Sequence, residues 1–226
     1  MELRHPSWKR DRIDNDHLRL LMAFAVPANG NCIDVGAHRG KVLADMVRIA
    51  PHGSHIAFEP LPELASRLQS VYPNVTIHQA ALSDSAGTVM YLRRGELARS
   101  RIRIKEIDGN VLEDVLEVQT LVLDEVLPPG YCPSLIKIDV EGAEGLVLRG
   151  ARETLRAHRP IVWFEHANLA AELYGSSSHE VHAILSAAGM RIFDADGGGP
   201  YTADGLAHNP KNIWSYVATP ASGART

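Results

Sequence analysis

The chain has 226 residues, of which 45% are hydrophobic and 22% charged, so it is long enough for one large α/β domain with a sizeable buried core. Its formal net charge of −4 provides no broad basic field, which argues against nucleic acid as a partner. Cys32 and Cys132 match no zinc spacing, and no apolar run approaches a secretory signal or a membrane span. We therefore expect two reduced thiols and a cytoplasmic protein.

The first half of the chain alternates between strand and helix patterns. Residues 1–15 are polar and are predicted to be irregular, and "DNDHLRLLMAFAV" then reads as a helix that Asn15 or Asp16 can cap. The following strands are predicted over 31–36, 55–60 and 74–84, with helices over 41–50 and 61–72. This βαβαβ order predicts a parallel sheet with right-handed crossovers.

The second half continues in the same style after an additional strand over 87–94 and an irregular basic stretch, 93–110. A strand and a short helix opening at Asp124 follow. The remaining predicted elements are strands at 134–140, 160–166, 190–199 and 212–220, and helices at 141–158, 169–175 and 178–189. No linker divides the chain, which predicts one domain over 1–226 with a polar tail at 219–226.

The motif "IDVGAHRG" lies directly after the first strand of this pattern. Open α/β sheets bind ligands at the carboxyl ends of their strands, and Gly36 and Gly40 allow a ligand to approach the backbone. The spacing is not the G-x-G-x-x-G of dinucleotide folds, and Asp34 disfavours a phosphate while suiting a cationic or hydroxylated ligand. The alternative is a plain glycine turn with a capping aspartate.

Glu59 ends the second strand in the motif "AFEP", about 20 residues after the glycine turn, where an acid can accept both ribose hydroxyls. The alternative is a carboxylate that interacts with a helix dipole. With Asp34, Glu59 indicates a nucleoside ligand without phosphates. S-adenosylmethionine is such a ligand.

The segment "KIDVEGAEGLVLRGARETL" followed by "PIVWFEH" resembles the FkbM-type family of S-adenosylmethionine-dependent methyltransferases, and "IDVGAHRG", "AFEP", "AALSDSAG" and "QTLVLDEVL" appear in the family's order. The resemblance runs from about residue 30 to 218. It implies a class I methyltransferase fold, which is α/β and doubly wound. In that fold helices cover both faces of a mostly parallel seven-stranded sheet whose last strand is antiparallel.

The resemblance also implies which residues hold the cofactor. Asp139 matches the acid that ends the fourth strand near the methyl donor, and the "AALSD" segment matches the part of the chain that flanks adenine. The implied cofactor-binding residues are Asp34, Gly36, Ala37, Gly40, Glu59, Ala81, Leu82 and Asp139.

The predicted catalytic residues are His166, Asp139 and Glu141. An imidazole is a natural base for a hydroxyl proton, and His166 follows the fifth strand. Two alternatives remain open for this edge: His166 holds the adjacent loop by hydrogen bonds, or these residues and Glu165 bind a divalent ion, although we assign no metal ligand. Glu144 is predicted to be structural.

The expected function is O-methylation of a hydroxyl on a sugar, glycolipid or secondary metabolite. An NAD(P)-dependent oxidoreductase and a non-catalytic nucleoside-binding or interaction module are the alternatives. The basic stretch, 93–110, is either a solvated face or a lid over the acceptor. A small-molecule or glycan acceptor is the expected partner, and a homo-oligomer is left open.

Overall fold

The computed structural model describes residues 6–93, 101–102, 114–208 and 213–221. The helices are α1 (Pro6–Ala25), α2 (Lys41–Ile49), α3 (Pro62–Val71), α4 (Leu123–Val126), α5 (Glu144–Arg149), α6 (Arg152–His158), α7 (Asn168–Glu172), α8 (Ser178–Ala187) and α9 (Ala203–Ala207). The strands are β1 (Asn31–Val35), β2 (Ile56–Phe58), β3 (Thr76–His78), β4 (Ala81–Leu82), β5 (Gly87–Arg93), β6 (Arg101–Ile102), β7 (Asp114–Leu121), β8 (Pro133–Ile138), β9 (Ile161–Glu165), β10 (Met190–Asp194) and β11 (Ser215–Pro220).

The main sheet has seven strands in the order β10-β11-β9-β8-β1-β2-β3. The neighbours from β9 to β3 are parallel, whereas β11 is antiparallel to both β10 and β9. The predicted seven-stranded, mostly parallel sheet with an antiparallel last strand is therefore confirmed. The strand order reverses at β1, and the carboxyl ends of β1, β2 and β8 open a crevice there.

The two faces of the main sheet bury separate cores, because side chains alternate along each strand. Ile33 and Val35 of β1 face a core formed with α5, α6 and α8, while Cys32 faces a second core formed with α1 and α2. Helices therefore cover both faces, as predicted. Cys32 is buried, Cys132 is exposed, and both are free thiols as expected.

The prediction of an irregular segment over residues 1–15 is wrong for residues 6–15, which form the first half of α1. Two of their charged side chains, those of Arg10 and Asp14, form ion pairs instead of solvating a loop. Arg10 contacts Asp14 at 2.8 Å one helical turn away and Asp196 at 2.7 Å, so it ties α1 to the turn after β10. Asn15 and Asp16 consequently lie within the helix and do not cap it.

The single strand predicted over 74–84 is instead two short strands in different sheets. β3 ends at His78, and β4 joins a second sheet of four strands in the order β4-β7-β5-β6. In that sheet β5 runs antiparallel to β7 from Gly87 to Arg93. Most of the basic stretch, 93–110, lies outside the described residues, so its predicted role stays a prediction.

The single helix predicted over 141–158 is divided into α5 and α6 at Gly150. A Cβ at Gly150 would collide with the carbonyl oxygen of Ser83, so the chain approaches its neighbour there more closely than a side chain allows. The side chain of Asp124, in α4, caps the N-terminus of α6. Its carboxylate accepts the N–H groups of Glu153 and Thr154 at 2.9 Å each. The predicted polar tail also begins later, because β11 extends to Pro220.

Candidate active site

The turn after β1 lies against the end of β8. Gly36 has a φ of 74°, and a Cβ on it would overlap the carbonyl oxygen of Asp139. The N–H of Asp139 donates to the carbonyl of Val35 at 3.1 Å. Glycine at position 36 therefore lets the loops after β1 and β8 meet at the crevice.

Glu59 is fixed beside this turn by two backbone amides. Oε2 accepts the N–H of His38 at 2.7 Å, and Oε1 accepts the N–H of Leu61 at 3.0 Å. The side chain is 4% exposed, and burial raises its pKa, while the two amide hydrogen bonds act in the opposite direction. Each carboxylate oxygen has a second lone-pair direction, so the group can still accept bonds from a ligand.

A first cleft opens at the ends of β1, β2 and β8, with an empty volume of about 800 Å³ that includes open solvent. Its residues combine carboxylates with apolar walls, which suits a ligand that has hydroxyls and a flat ring. The first cleft is lined by Val35, Gly36, His38, Phe58, Glu59, Pro60, Leu61, Ala80, Ala81, Leu82, Tyr91, Asp139, Val140, Glu141 and Ala143.

Two non-glycine residues of the first cleft have left-handed backbone conformations. His38 has a φ of 51° and Glu141 a φ of 55°. Such conformations are uncommon for side chains of this size and are concentrated at functional sites. The loops after β1 and β8 therefore each contain a residue in a backbone conformation that non-glycine residues rarely adopt.

The structure brings six of the predicted site residues together in the first cleft: Gly36, Glu59, Ala81, Leu82, Asp139 and Glu141. The other four, Ala37, Gly40, Asp34 and His166, are placed elsewhere. Ala37 lines a neighbouring cleft, and Gly40 forms the N-terminus of α2, where a Cβ would press on Leu68.

Asp34 is fully buried below the first cleft, where it lies 3.2 Å from the ammonium of Lys137. Lys137 Nζ also donates to the carbonyl oxygen of Gly36 at 2.8 Å and lies 3.6 Å from Asp139. Asp34 therefore acts on the cleft through Lys137 and the glycine turn. The sequence did not single out Lys137, which lies within an apolar strand pattern.

Burial and neighbouring charges shift the pKa values of Asp34, Lys137 and Glu165. Burial raises the pKa of Asp34, and Lys137 opposes that change. Burial lowers the pKa of Lys137, but the negative charges of Asp34 and Asp139 more than reverse this, so Lys137 stays protonated. Burial and the neighbouring Asp139 raise the pKa of Glu165 to about 9.

A second cleft adjoins the first, and Gly36, His38 and Asp139 line both. α1 forms one wall of it. Its other lining residues are Asp14, Asn15, Leu18, Ala37, Arg39, Lys41, Val42, Lys137, Trp163, Glu165 and Ser215. Sequence reasoning missed this wall, because it read residues 1–15 as irregular. It also missed Tyr91 of the first cleft, because Tyr91 arrives from the second sheet.

His166 is 3% exposed and lines neither cleft. Its Nε2 bonds Ser178 Oγ at 2.8 Å, and its Nδ1 lies 3.9 Å from Glu144 Oε2. Glu144 in turn accepts the N–H of Gly142 at 2.9 Å. This chain of contacts holds the loop after β8, which fits the loop-holding alternative for His166 better than a base in contact with an acceptor.

Among the described residues, the acids and histidines whose ligand atoms lie within 4.8 Å of one another are Asp14, His17 and Asp196. Arg10 contacts both carboxylates of that group, so a guanidinium already occupies their acceptor oxygens and offsets part of their negative charge. Asp139, Glu141, Glu165 and His166 form no such group in the described part of the chain.

The strand order, the crevice at β1 and the two adjoining clefts define a Rossmann-like class I methyltransferase fold. The sequence profile described as the methyltransferase FkbM domain matches residues 34–192. The chain therefore belongs to the FkbM methyltransferase family.

One solved structure supports this fold, and a second aligns with a lower TM-score. A methyltransferase FkbM from Methylobacillus flagellatus KT aligns with a TM-score of 0.54 and 17% identity, covering 85% of this chain and 44% of that one. This chain thus spans less than half of that relative. A precorrin-6y C5,15-methyltransferase from Geobacter metallireducens GS-15 has a TM-score of 0.48 and 14% identity, covering 90% of this chain and 88% of that one. A search of curated proteins finds no match.

Proposed function

We propose that the protein transfers a methyl group from S-adenosylmethionine to a hydroxyl oxygen of a sugar, glycolipid or secondary metabolite. The observation that carries the proposal is the position of Glu59. Its carboxylate is fixed by two backbone amides at the end of β2 and faces a cleft with apolar walls. A ribose diol and an adenine ring match this combination.

The residues present fit that cofactor. Of the described residues, no lysine or arginine lines the first cleft, and three carboxylates, Glu59, Asp139 and Glu141, give it negative character. Glu59 would hold the ribose, and Ala81, Leu82 and Leu61 would flank the adenine. Asp139 and Glu141 disfavour a pyrophosphate, and the turn after β1 lacks the G-x-G-x-x-G spacing, which argues against the NAD(P)-dependent alternative.

S-adenosylmethionine supplies a methyl group on a positively charged sulfur, which is open to in-line displacement. The protein's part is to fix two ligands side by side. Gly36, His38 and Asp139 form the boundary between the first and second clefts. A ligand in each cleft would meet at this boundary, and holding reactants in near-attack geometry is a large source of rate enhancement.

The second cleft supports a hydroxylated acceptor. Its walls present carboxylates, cations, an amide and a hydroxyl, with few apolar side chains. Such a surface matches the alternating donors and acceptors of a sugar or another polyol. The described residues contain no helix with the length and apolarity that a membrane crossing needs. We include a cytoplasmic location in the proposal, in keeping with the two free thiols.

The test is mass spectrometry of metabolites and glycans from cells with and without the gene. We expect one or more hydroxylated compounds to lose a methyl group in the deletion strain. Purified protein with S-adenosylmethionine should restore that methyl group in an extract of the deletion strain. Compounds that differ by two hydrogens and not by a methyl group, or no restoration by a protein that binds S-adenosylmethionine, would contradict methyl transfer to these compounds.

A further inference from the structure

The boundary between the two clefts has more acids than cations. Neighbouring strands are in register there: Ile138 pairs with both Val35 and Phe164, so the next residues, Asp139 and Glu165, lie side by side at adjacent strand ends. Adjacent strands are about 4.8 Å apart. Lys137, one residue before Ile138, contacts Asp34 at 3.2 Å and Asp139 at 3.6 Å.

One ammonium thus interacts with three carboxylates, those of Asp34, Asp139 and Glu165. Lys137 and Asp34 are buried, while Asp139 and Glu165 are partly buried at the edge of the second cleft. Burying an uncompensated negative charge is costly, so the group is expected to keep a proton. Asp34 and Asp139 lie 3.2 and 3.6 Å from the ammonium of Lys137, so Glu165 is the carboxylate of the three without a direct ion pair to it. Glu165 is therefore the one that keeps the proton, in agreement with its pKa, which is raised to about 9. Other charged or titratable groups that act on it or line the same cleft are Asp11 and Asp14 on α1, His38, Arg39 and Lys41 near the start of α2, and Glu141 after β8.

A protonated Glu165 cannot act as the base for an acceptor hydroxyl, because a protonated carboxyl cannot take up a second proton. A ligand in the first cleft can change the protonation state of Glu165. Asp139 lines both clefts and lies beside Glu165, so a cation that contacts Asp139 from the first cleft adds positive charge near Glu165. A second positive charge favours the ionised form of a nearby acid.

We propose that Glu165 is the base for the acceptor and that it becomes ionised only when a positively charged methyl donor occupies the first cleft. This inference rests on the proposed function and names the base for that reaction. On donor binding, Glu165 releases its proton to solvent. During transfer, Glu165 takes the proton of the acceptor hydroxyl while the oxygen bonds the methyl carbon and the carbon–sulfur electron pair stays on sulfur.

The charges balance over one cycle. The sulfur becomes neutral as the methyl group leaves, and Glu165 is protonated again at the same time. The protein therefore returns to its starting state, and the proton released to solvent is the one that the donor displaced. An ionised Glu165 in the absence of donor would serve no purpose and would add a buried charge.

Isothermal titration calorimetry measures the proton release directly. S-adenosylmethionine and S-adenosylhomocysteine share the adenosine and amino acid groups and differ in the charge on sulfur. Each is titrated at pH 7.5 in phosphate and in Tris buffer, and the dependence of the heat on buffer ionisation gives the protons released. The shared groups serve as an internal control.

We expect S-adenosylmethionine to release close to one proton and S-adenosylhomocysteine close to none. Glu165→Gln should abolish the difference while binding S-adenosylhomocysteine with an affinity within about threefold of the wild type, since position 165 does not line the first cleft. Equal proton release for the two ligands, or a difference that survives in Glu165→Gln, would overturn the inference. Failure of both ligands to bind would instead contradict the proposed function.

Discussion

The backbone N–H of His38 and the Oε2 atom of Glu59 lie 2.7 Å apart, and this hydrogen bond joins the loop after β1 to the end of β2. The acid is thereby placed at the crevice, with its remaining lone pairs free for a ligand. His38, which donates this hydrogen bond, has a left-handed backbone with a φ of 51°.

Glu59→Gln should weaken binding of S-adenosylhomocysteine by about 10- to 100-fold. A glutamine keeps one neutral acceptor oxygen, so the ribose diol loses a hydrogen bond to a charged carboxylate, which is worth about 1.5–3 kcal/mol. Calorimetry gives the dissociation constants, and the exposed Glu63→Gln on α3 is the matched control. An unchanged affinity in Glu59→Gln would contradict a ribose-binding role for Glu59.

Gly36→Ala should unfold more easily than Gly130→Ala, by at least about 2 kcal/mol in the free energy of unfolding. Both glycines have positive φ values, 74° and 78°, so both alanines bear the cost of a left-handed backbone. Only at position 36 would the added Cβ also overlap a carbonyl oxygen, that of Asp139. Urea denaturation measures the difference, and equal losses would mean that the two loops do not meet as described.

Asp124→Ala should lower the free energy of unfolding by about 1–2 kcal/mol, because α6 loses the carboxylate that caps its first turn. The carboxylate also accepts the hydroxyl of Thr154, at 2.6 Å. Glu125→Ala, an exposed neighbour, serves as the control and should have little effect. A loss in Asp124→Ala no larger than that in the control would contradict the capping role.

His166→Gln and Ser178→Ala should each destabilise the protein, and their effects should not add. The His166–Ser178 hydrogen bond is buried at 2.8 Å, so removing either partner already removes the interaction. A double-mutant cycle in urea denaturation should give a coupling energy of about 1 kcal/mol. Additive effects, or a fully stable His166→Gln, would argue for a role outside this network.

Glu165 should make the protein less stable as the pH rises from about 5 to 9. The unfolded chain loses this proton near the ordinary glutamate value of 4.5, whereas the folded protein keeps it up to about 9. The folded state therefore binds more protons in this window, and its stability falls by up to about 1.4 kcal/mol per pH unit.

Glu165→Gln should flatten that dependence, which urea denaturation at pH 5, 7 and 9 measures. The variant should be more stable than the wild type at pH 9. Glu125→Gln should retain the wild-type slope. An unchanged slope in Glu165→Gln would mean that this carboxyl is ionised in the folded protein at neutral pH.

The sequence predicts the main sheet well because its strands are buried on both faces and alternate with helices. The periodicities of residues 31–72 are therefore unambiguous, and the strand ends locate Gly36, Glu59 and Asp139 at one edge. The second sheet is not predictable in the same way. β4 pairs with β7, so Ala81 lies opposite Thr120, which is far away in the chain. Local sequence patterns do not predict which distant strand will pair with a given strand.

The differences between the predicted and the observed positions of the site residues have a common physical cause. Asp34 and Gly40 belong to the same motif as Gly36, but strand alternation points Asp34 to the α1 face, and Gly40 packs against Leu68. Lys137 is a polar exception in an apolar strand. Its position is explained by Asp34 and the carbonyl oxygen of Gly36, which are its neighbours in space but not in sequence. A polar helix such as the first half of α1 is also hard to recognise, since its ion partner Asp196 is remote in sequence.

A crystal structure with S-adenosylhomocysteine tests the central claim most directly. The account predicts that the adenosyl group occupies the first cleft, with both ribose hydroxyls on the Glu59 carboxylate and the adenine between Leu61 and the Ala81–Leu82 segment. The sulfur should face Asp139 at the boundary with the second cleft. A ligand bound elsewhere, or one whose ribose does not touch Glu59, would contradict the account.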